Sequence, residues 1–78
     1  MFLIFKFENT SMVIQCQQGE LMDTVLDRYL SKSGIDPNDI RFFYNTKELP
    51  RQTRKTISAL NIKNGGNINV ISRTIQGA

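Results

Sequence analysis

The chain contains no histidine and a single cysteine, Cys16. Without imidazole there is no His-based acid–base catalysis, no His triad and no His metal ligand. One thiol closes no internal disulfide and builds no Cys-rich zinc site, so stability has to come from packing. Long apolar runs are missing as well. Residues 1–7 are mostly apolar, but Lys6 interrupts them, and nothing approaches the roughly 20 residues that cross a bilayer. The same segment has no basic lead-in and no small-residue cleavage site, so it reads as a strand rather than a signal peptide. Excess charge is modest. Ten Lys and Arg against seven Asp and Glu leave a net charge of +3, short of the dense basic content of a dedicated nucleic-acid binder. These absences set the expectation of a cytoplasmic or nuclear protein without cofactor or metal, with no membrane, nucleic-acid or small-molecule partner, and not an enzyme.

What is present is enough for one small domain. A chain of 78 residues holds a single core and buries only about 60% of its unfolded surface. Hydrophobic residues make up 40% and charged residues 22%, the balance of a folded domain rather than a disordered tail. The domain is expected over residues 1–73, with 74–78 as a flexible C-terminal tail.

Periodicity divides the chain into elements. Residues 1–7 alternate, with Met1, Leu3, Phe5 and Phe7 on one face, and Met12, Ile14 and Cys16 repeat the pattern after a polar turn at 8–11. Two such runs make an antiparallel hairpin. Met22, Val25, Leu26, Tyr29 and Leu30 then recur at three- and four-residue spacing, the stripe of an amphipathic helix. Gly34 is placed as a left-handed C-cap, Ile35 to fold back on the last turn, and Asp36-Pro37 to prevent continuation. Ile40–Tyr44 reads as a third strand and Lys47–Leu49 as a short fourth. Thr56-Ile57-Ser58-Ala59-Leu60 offers one helical turn, Asn64-Gly65-Gly66-Asn67 a turn, and residues 68–72 the last strand. The order is β-β-α-β-β-short helix-β, an α+β chain with a mixed four- to five-stranded sheet on one main helix. The expected core is Met1, Leu3, Phe5, Ile14, Val25, Tyr29, Leu30, Ile40, Phe42, Leu49, Ile57, Leu60, Ile62, Ile68 and Val70, with Cys16 also pointing inward.

An ordered set of short matches runs through this pattern. Gly34-Ile35-Asp36-Pro37-Asn38-Asp39-Ile40-Arg41-Phe42-Phe43-Tyr44 resembles a Gly-Ile-Pro-Pro-Asp-Gln-Gln-Arg-Leu-Ile-Phe segment. Lys47-Glu48-Leu49 resembles Lys-Gln-Leu, Lys55-Thr56-Ile57-Ser58 resembles Arg-Thr-Leu-Ser, and Asn61-Ile62 resembles Asn-Ile. Over almost the whole chain the sequence therefore resembles the ubiquitin-like β-grasp family. The Arg41-Phe42 pair is shared with SUMO-type members, so the subfamily stays open. The departures are a first hairpin loop about one residue shorter, a 50–54 loop about two longer, and Leu21 where the family caps its helix with Thr. Either Gly19 or Glu20 is then expected to serve as the cap, or the helix start frays. The tail reads Arg73-Thr74-Ile75-Gln76-Gly77-Ala78 in place of the family's terminal Gly-Gly.

The resemblance implies a non-catalytic domain that recognises proteins, receptors or enzymes of the ubiquitin system, as a monomer. With Ile40, Phe42 and Tyr44 inward, Arg41 and Phe43 face solvent. The family's exposed apolar patch maps onto Phe43 and Ile71, with Asn69 at the position of its His, and Arg41, Lys47 and Arg73 as a basic rim. Apolar centres with Arg at hand are the composition of binding hot spots. Phe2, Ile4 and Val13 form a second expected exposed patch on the outward side of the first hairpin. Two further readings follow: a ubiquitin-like modifier conjugated through Gly77 after removal of Ala78, and a structural or processing module within a larger polypeptide that packs its second patch on a neighbour. The basic stretch 51–55 reads as a solvated loop in preference to a contact for an acidic partner or phosphate.

Overall fold

The computed structural model describes residues 1–72. Five strands and one main helix follow in the order β1 (Phe2–Phe7), β2 (Thr10–Gln15), α1 (Met22–Ser33), a single 3-10 turn (Pro37–Asp39), β3 (Ile40–Tyr44), β4 (Lys47–Leu49) and β5 (Asn67–Ser72). The strands form one mixed sheet in the order β2-β1-β5-β3-β4. The first and last strands lie side by side and parallel, with Phe5 opposite Ile68, while the β1–β2, β3–β5 and β3–β4 pairs are antiparallel. The fold is α+β, and the fifth strand is real: β4 is short but pairs Phe42 with Leu49, both buried.

Alternation decides which face of each strand is inside. Leu3 and Phe5 of β1, Ile14 of β2, Ile40 and Phe42 of β3, Leu49 of β4, and Ile68 and Val70 of β5 are all buried, each two residues from the next along its strand. Against them α1 sets Met22, Val25, Leu26, Tyr29 and Leu30. At the centre the Tyr29 ring stacks on Phe5, with centroids 4.4 Å apart. Phe42 meets both rings edge-on at 6.1 and 6.0 Å. Such contacts add roughly 0.5–1.5 kcal/mol per pair beyond burial.

The helix ends where the sequence places it. Gly34 adopts φ 74° and ψ 10°, and its N–H donates to the Leu30 carbonyl at 2.9 Å. Ile35 packs back on the core. The start is solved differently from expectation. Leu21 is the N-cap residue and contributes no side-chain bond, and neither Gly19 nor Glu20 takes its place. Instead the Met22 N–H donates to the Lys55 carbonyl at 2.9 Å, and the Ile57 N–H to the Glu20 carbonyl at 3.0 Å. Leu21 and Thr56 form an isolated antiparallel bridge. A tertiary contact thus replaces the missing cap.

Other expectations shift. The short helical segment precedes β3 instead of β5, where Asp36 accepts from the Asn38 N–H at 2.9 Å and Pro37 opens the turn. Residues 57–61 form only hydrogen-bonded turns, with Leu60 N–H shared between the Thr56 and Ile57 carbonyls. The first hairpin closes through Glu8 and Asn9 alone, with Glu8 at φ 55°. Met1 and Leu60 are half-buried, and Met22, Leu26 and Cys16 complete the core. The 51–55 loop is not simply solvated: Arg51 pairs with Asp27 of α1 at 2.7 Å, and Thr53 is buried. Among the described residues no helix is long and apolar enough to cross a membrane.

Candidate functional site

The sheet face away from α1 is the surface on which the expected site residues lie. Cross-strand partners share a face, so the register reads directly as rows. One row runs Ser11, Lys6, Asn69, Phe43 and Glu48 across all five strands. A second pairs Ile71 with Arg41, and a third runs Val13, Ile4 and Asn67. Phe43 sits two residues from Arg41 along β3, and Ile71 two residues from Asn69 along β5, so the four make one compact cluster.

Within it the side chains interact. The Arg41 guanidinium lies over the Phe43 ring, 5.5 Å from its centroid, within the range of a cation–π contact. The same guanidinium donates twice to Glu48, at 3.0 Å from Nε and 2.7 Å from Nη2. These bonds raise the Arg41 pKa, the hydrogen bond to Glu48 first and its charge second. Ile71 is 49% exposed, and Phe43 is half-buried. The site is an apolar pair flanked by an Arg held flat by a carboxylate, with Asn69 exposed beside it.

Three placements differ from the sequence reading. Phe43 is not fully solvent-facing, because Arg41 covers its ring. Lys47 does not belong to the cluster: it pairs with Tyr44, which puts it on the helix-side parity at the exposed end of β4. Glu48, which the sequence reading left out, occupies the outward position. It was within reach of that reading, since a buried Leu49 forces its neighbour outward. The basic rim is therefore partly neutralised. Arg73 and Gly77 lie outside the described residues.

The second expected patch is also reduced. Val13 is 51% exposed, but Phe2 and Ile4 are half-buried. The Phe2 ring stands beside the turn at Gly65, where a Cβ on that glycine would come within 3.5 Å of it. Lys6, Asn67 and Asn69 stand between Val13 and Ile71 on the face, so the two most exposed apolar side chains do not merge.

Among the described residues no group of acidic, His or Cys side chains is placed to hold a metal. Cys16 is buried, and burial first, then the Glu20 carboxylate, pushes its thiol above the usual range. The open depression between Met1, Gln18 and Arg28 has its charges occupied: the Met1 amine donates to the Cys16 carbonyl at 3.1 Å, and Arg28 to Glu20 at 2.7 Å and to the Gln15 carbonyl at 2.8 Å.

No family model matches the chain, and no curated protein matches it.

Proposed function

We propose that the chain is a ubiquitin-like β-grasp domain that acts without catalysis, by recognising proteins through the Arg41, Phe43, Asn69 and Ile71 cluster. The resemblance of segment 34–44 and its companions, together with an α+β architecture compatible with that family, supports the family reading. The observation that carries the site is the half-exposed Ile71 set opposite Arg41, whose guanidinium stacks on Phe43. A partner that covers this cluster gains the apolar area of Ile71 and Phe43 without having to order Arg41, which Glu48 and the ring already hold. Rigid, pre-positioned Arg and aromatic groups bind with less entropic loss than free ones. The partners that fit are proteins of a ubiquitin-type system, which present a short apolar helix or strand.

The test is an NMR titration with a ubiquitin-binding helical peptide. Binding should shift the amides of Arg41, Phe43, Asn69 and Ile71, and Phe43→Ala or Ile71→Ala should weaken it about tenfold, an ordinary hot-spot effect. Unchanged affinity and unchanged shifts in both variants would remove the site assignment.

A further inference from the structure

The turn that leads into β5 holds a reactive dipeptide in a closed arrangement. Asn64-Gly65 joins a side-chain amide to a following residue without a side chain, the pairing in which the next backbone nitrogen meets least steric hindrance in reaching Cγ. Both reacting groups are engaged by one residue of β1. The Phe2 N–H donates to Asn64 Oδ1 at 2.9 Å, and the Gly65 N–H donates to the Phe2 carbonyl at 2.7 Å. The next turn of the ladder follows, with the Ile4 N–H on the Gly66 carbonyl at 2.9 Å. The Phe2 ring stands on the side where Gly65 would carry a Cβ, 3.5 Å from that position, while Asn64 itself is exposed to water.

We propose that Asn64 is a latent site of spontaneous deamidation, gated by the pairing of Phe2 with Gly65. The step is a ring closure. The Gly65 nitrogen bonds to Asn64 Cγ, the Cγ–N bond breaks, and ammonia leaves with the proton that Gly65 gives up. Water then opens the succinimide at one carbonyl to aspartate or at the other to isoaspartate. No oxidation state changes, and water is the sole co-reactant. The Phe2 N–H polarises the Asn64 carbonyl and favours attack. The Phe2 carbonyl acts in the opposite sense, and it dominates: a nitrogen whose proton is engaged in an N···O bond of 2.7 Å is not a nucleophile until that bond opens. Reaction therefore waits for local opening of the β1 start against the 64–66 turn, at a rate scaled by the open fraction. That start is also held on its other side, where Met1 and Cys16 exchange two backbone bonds at 3.0 and 3.1 Å.

The two products differ in consequence. Aspartate at 64 keeps an oxygen for the Phe2 N–H and adds a negative charge. Isoaspartate lengthens the main chain by one methylene, which displaces Gly65 from Phe2 and Gly66 from Ile4.

The experiment ages the full chain at mildly alkaline pH and 37 °C, native and in urea, and follows residue 64 by peptide mass and by chromatographic separation of the two acids. Native conversion should be about tenfold slower or more than conversion in urea. Phe2→Ala, which strips the ring from Gly65, should convert at an intermediate rate. Asn64→Asp should keep the urea-unfolding midpoint of the unmodified chain, since the acceptor for the Phe2 N–H survives. Equal rates in the native and urea samples would overturn the gate, as would conversion of another asparagine in preference to Asn64 in urea. Should Phe2→Ala fail to fold, the native-to-urea comparison of the unmodified chain decides alone.

Discussion

Gly34 shows how a single residue can be assigned from first principles. Its φ of 74° lies in the left-handed region, where a Cβ meets the following carbonyl at a cost of about 1–2 kcal/mol. Nothing lies within 4 Å of a Cβ built there, so the penalty is conformational, not steric crowding by neighbours. Gly34→Ala should accordingly lower the urea-unfolding free energy by about 1 kcal/mol. Gly19→Ala, equally open but without a positive φ, should leave it unchanged or slightly raised. Equal effects at the two positions would mean that the C-cap geometry does not matter. Cys16 is a second residue whose behaviour follows from its surroundings. Its thiol titrates above the ordinary range because it is buried, so it stays protonated and slow towards thiol reagents at neutral pH.

Between elements, Arg28 is the staple that joins α1 to the end of β2. It donates to the Gln15 carbonyl on the open edge of the sheet and to both Glu20 oxygens. The Arg28 hydrogen bond, and next the Gln17 N–H, hold the Glu20 carboxylate below its usual pKa. The sign follows from that direction. A carboxyl with a depressed folded pKa adds stability that is present above the unfolded pKa and disappears as pH falls through the folded one. The pair is a partly exposed one, with side-chain exposures of 35% and 28%, so its contribution is about 0.5 kcal/mol. Urea melts across the acid range should show that loss, and Glu20→Gln should flatten this part of the profile. An identical slope in the variant would assign the acid sensitivity to another carboxylate.

At the scale of the molecule, a domain of this size has little stability in reserve, on the order of 5 kcal/mol. The Phe5, Tyr29 and Phe42 cluster is its centre. Phe42→Ala should cost about 3–5 kcal/mol and leave much of the chain unfolded, read as loss of dispersed amide NMR signals. Phe43→Ala, one residue on but on the outward face and only half-buried, should cost roughly 1 kcal/mol and keep the dispersion. The contrast separates loss of binding from loss of fold. Similar unfolding in both variants would show that Phe43 is a core residue.

Much of this organisation was legible in the sequence, for a local reason. Period two and period 3.6 are properties of neighbouring residues, so the helix, its Gly34 stop, the strand faces and the inward direction of Leu3, Phe5, Ile14, Phe42 and Val70 follow from spacing alone. The lack of histidine and of a second cysteine likewise excluded whole chemistries without any coordinates. Alternation names the face of a strand but not its neighbour, and what depended on neighbours came only with the tertiary structure. The parallel placement of β5 beside β1 decided that the 64–66 turn closes over Phe2, leaving it half-covered. Parity with Leu49 already turns Glu48 outward, but only the β3–β4 register decided that it meets Arg41. The approach of residues 55–57 to the helix start decided how Met22 finds its acceptor. Each is a contact between residues distant in the chain, set by how the sheet closes around α1 and invisible to any pattern of adjacent side chains.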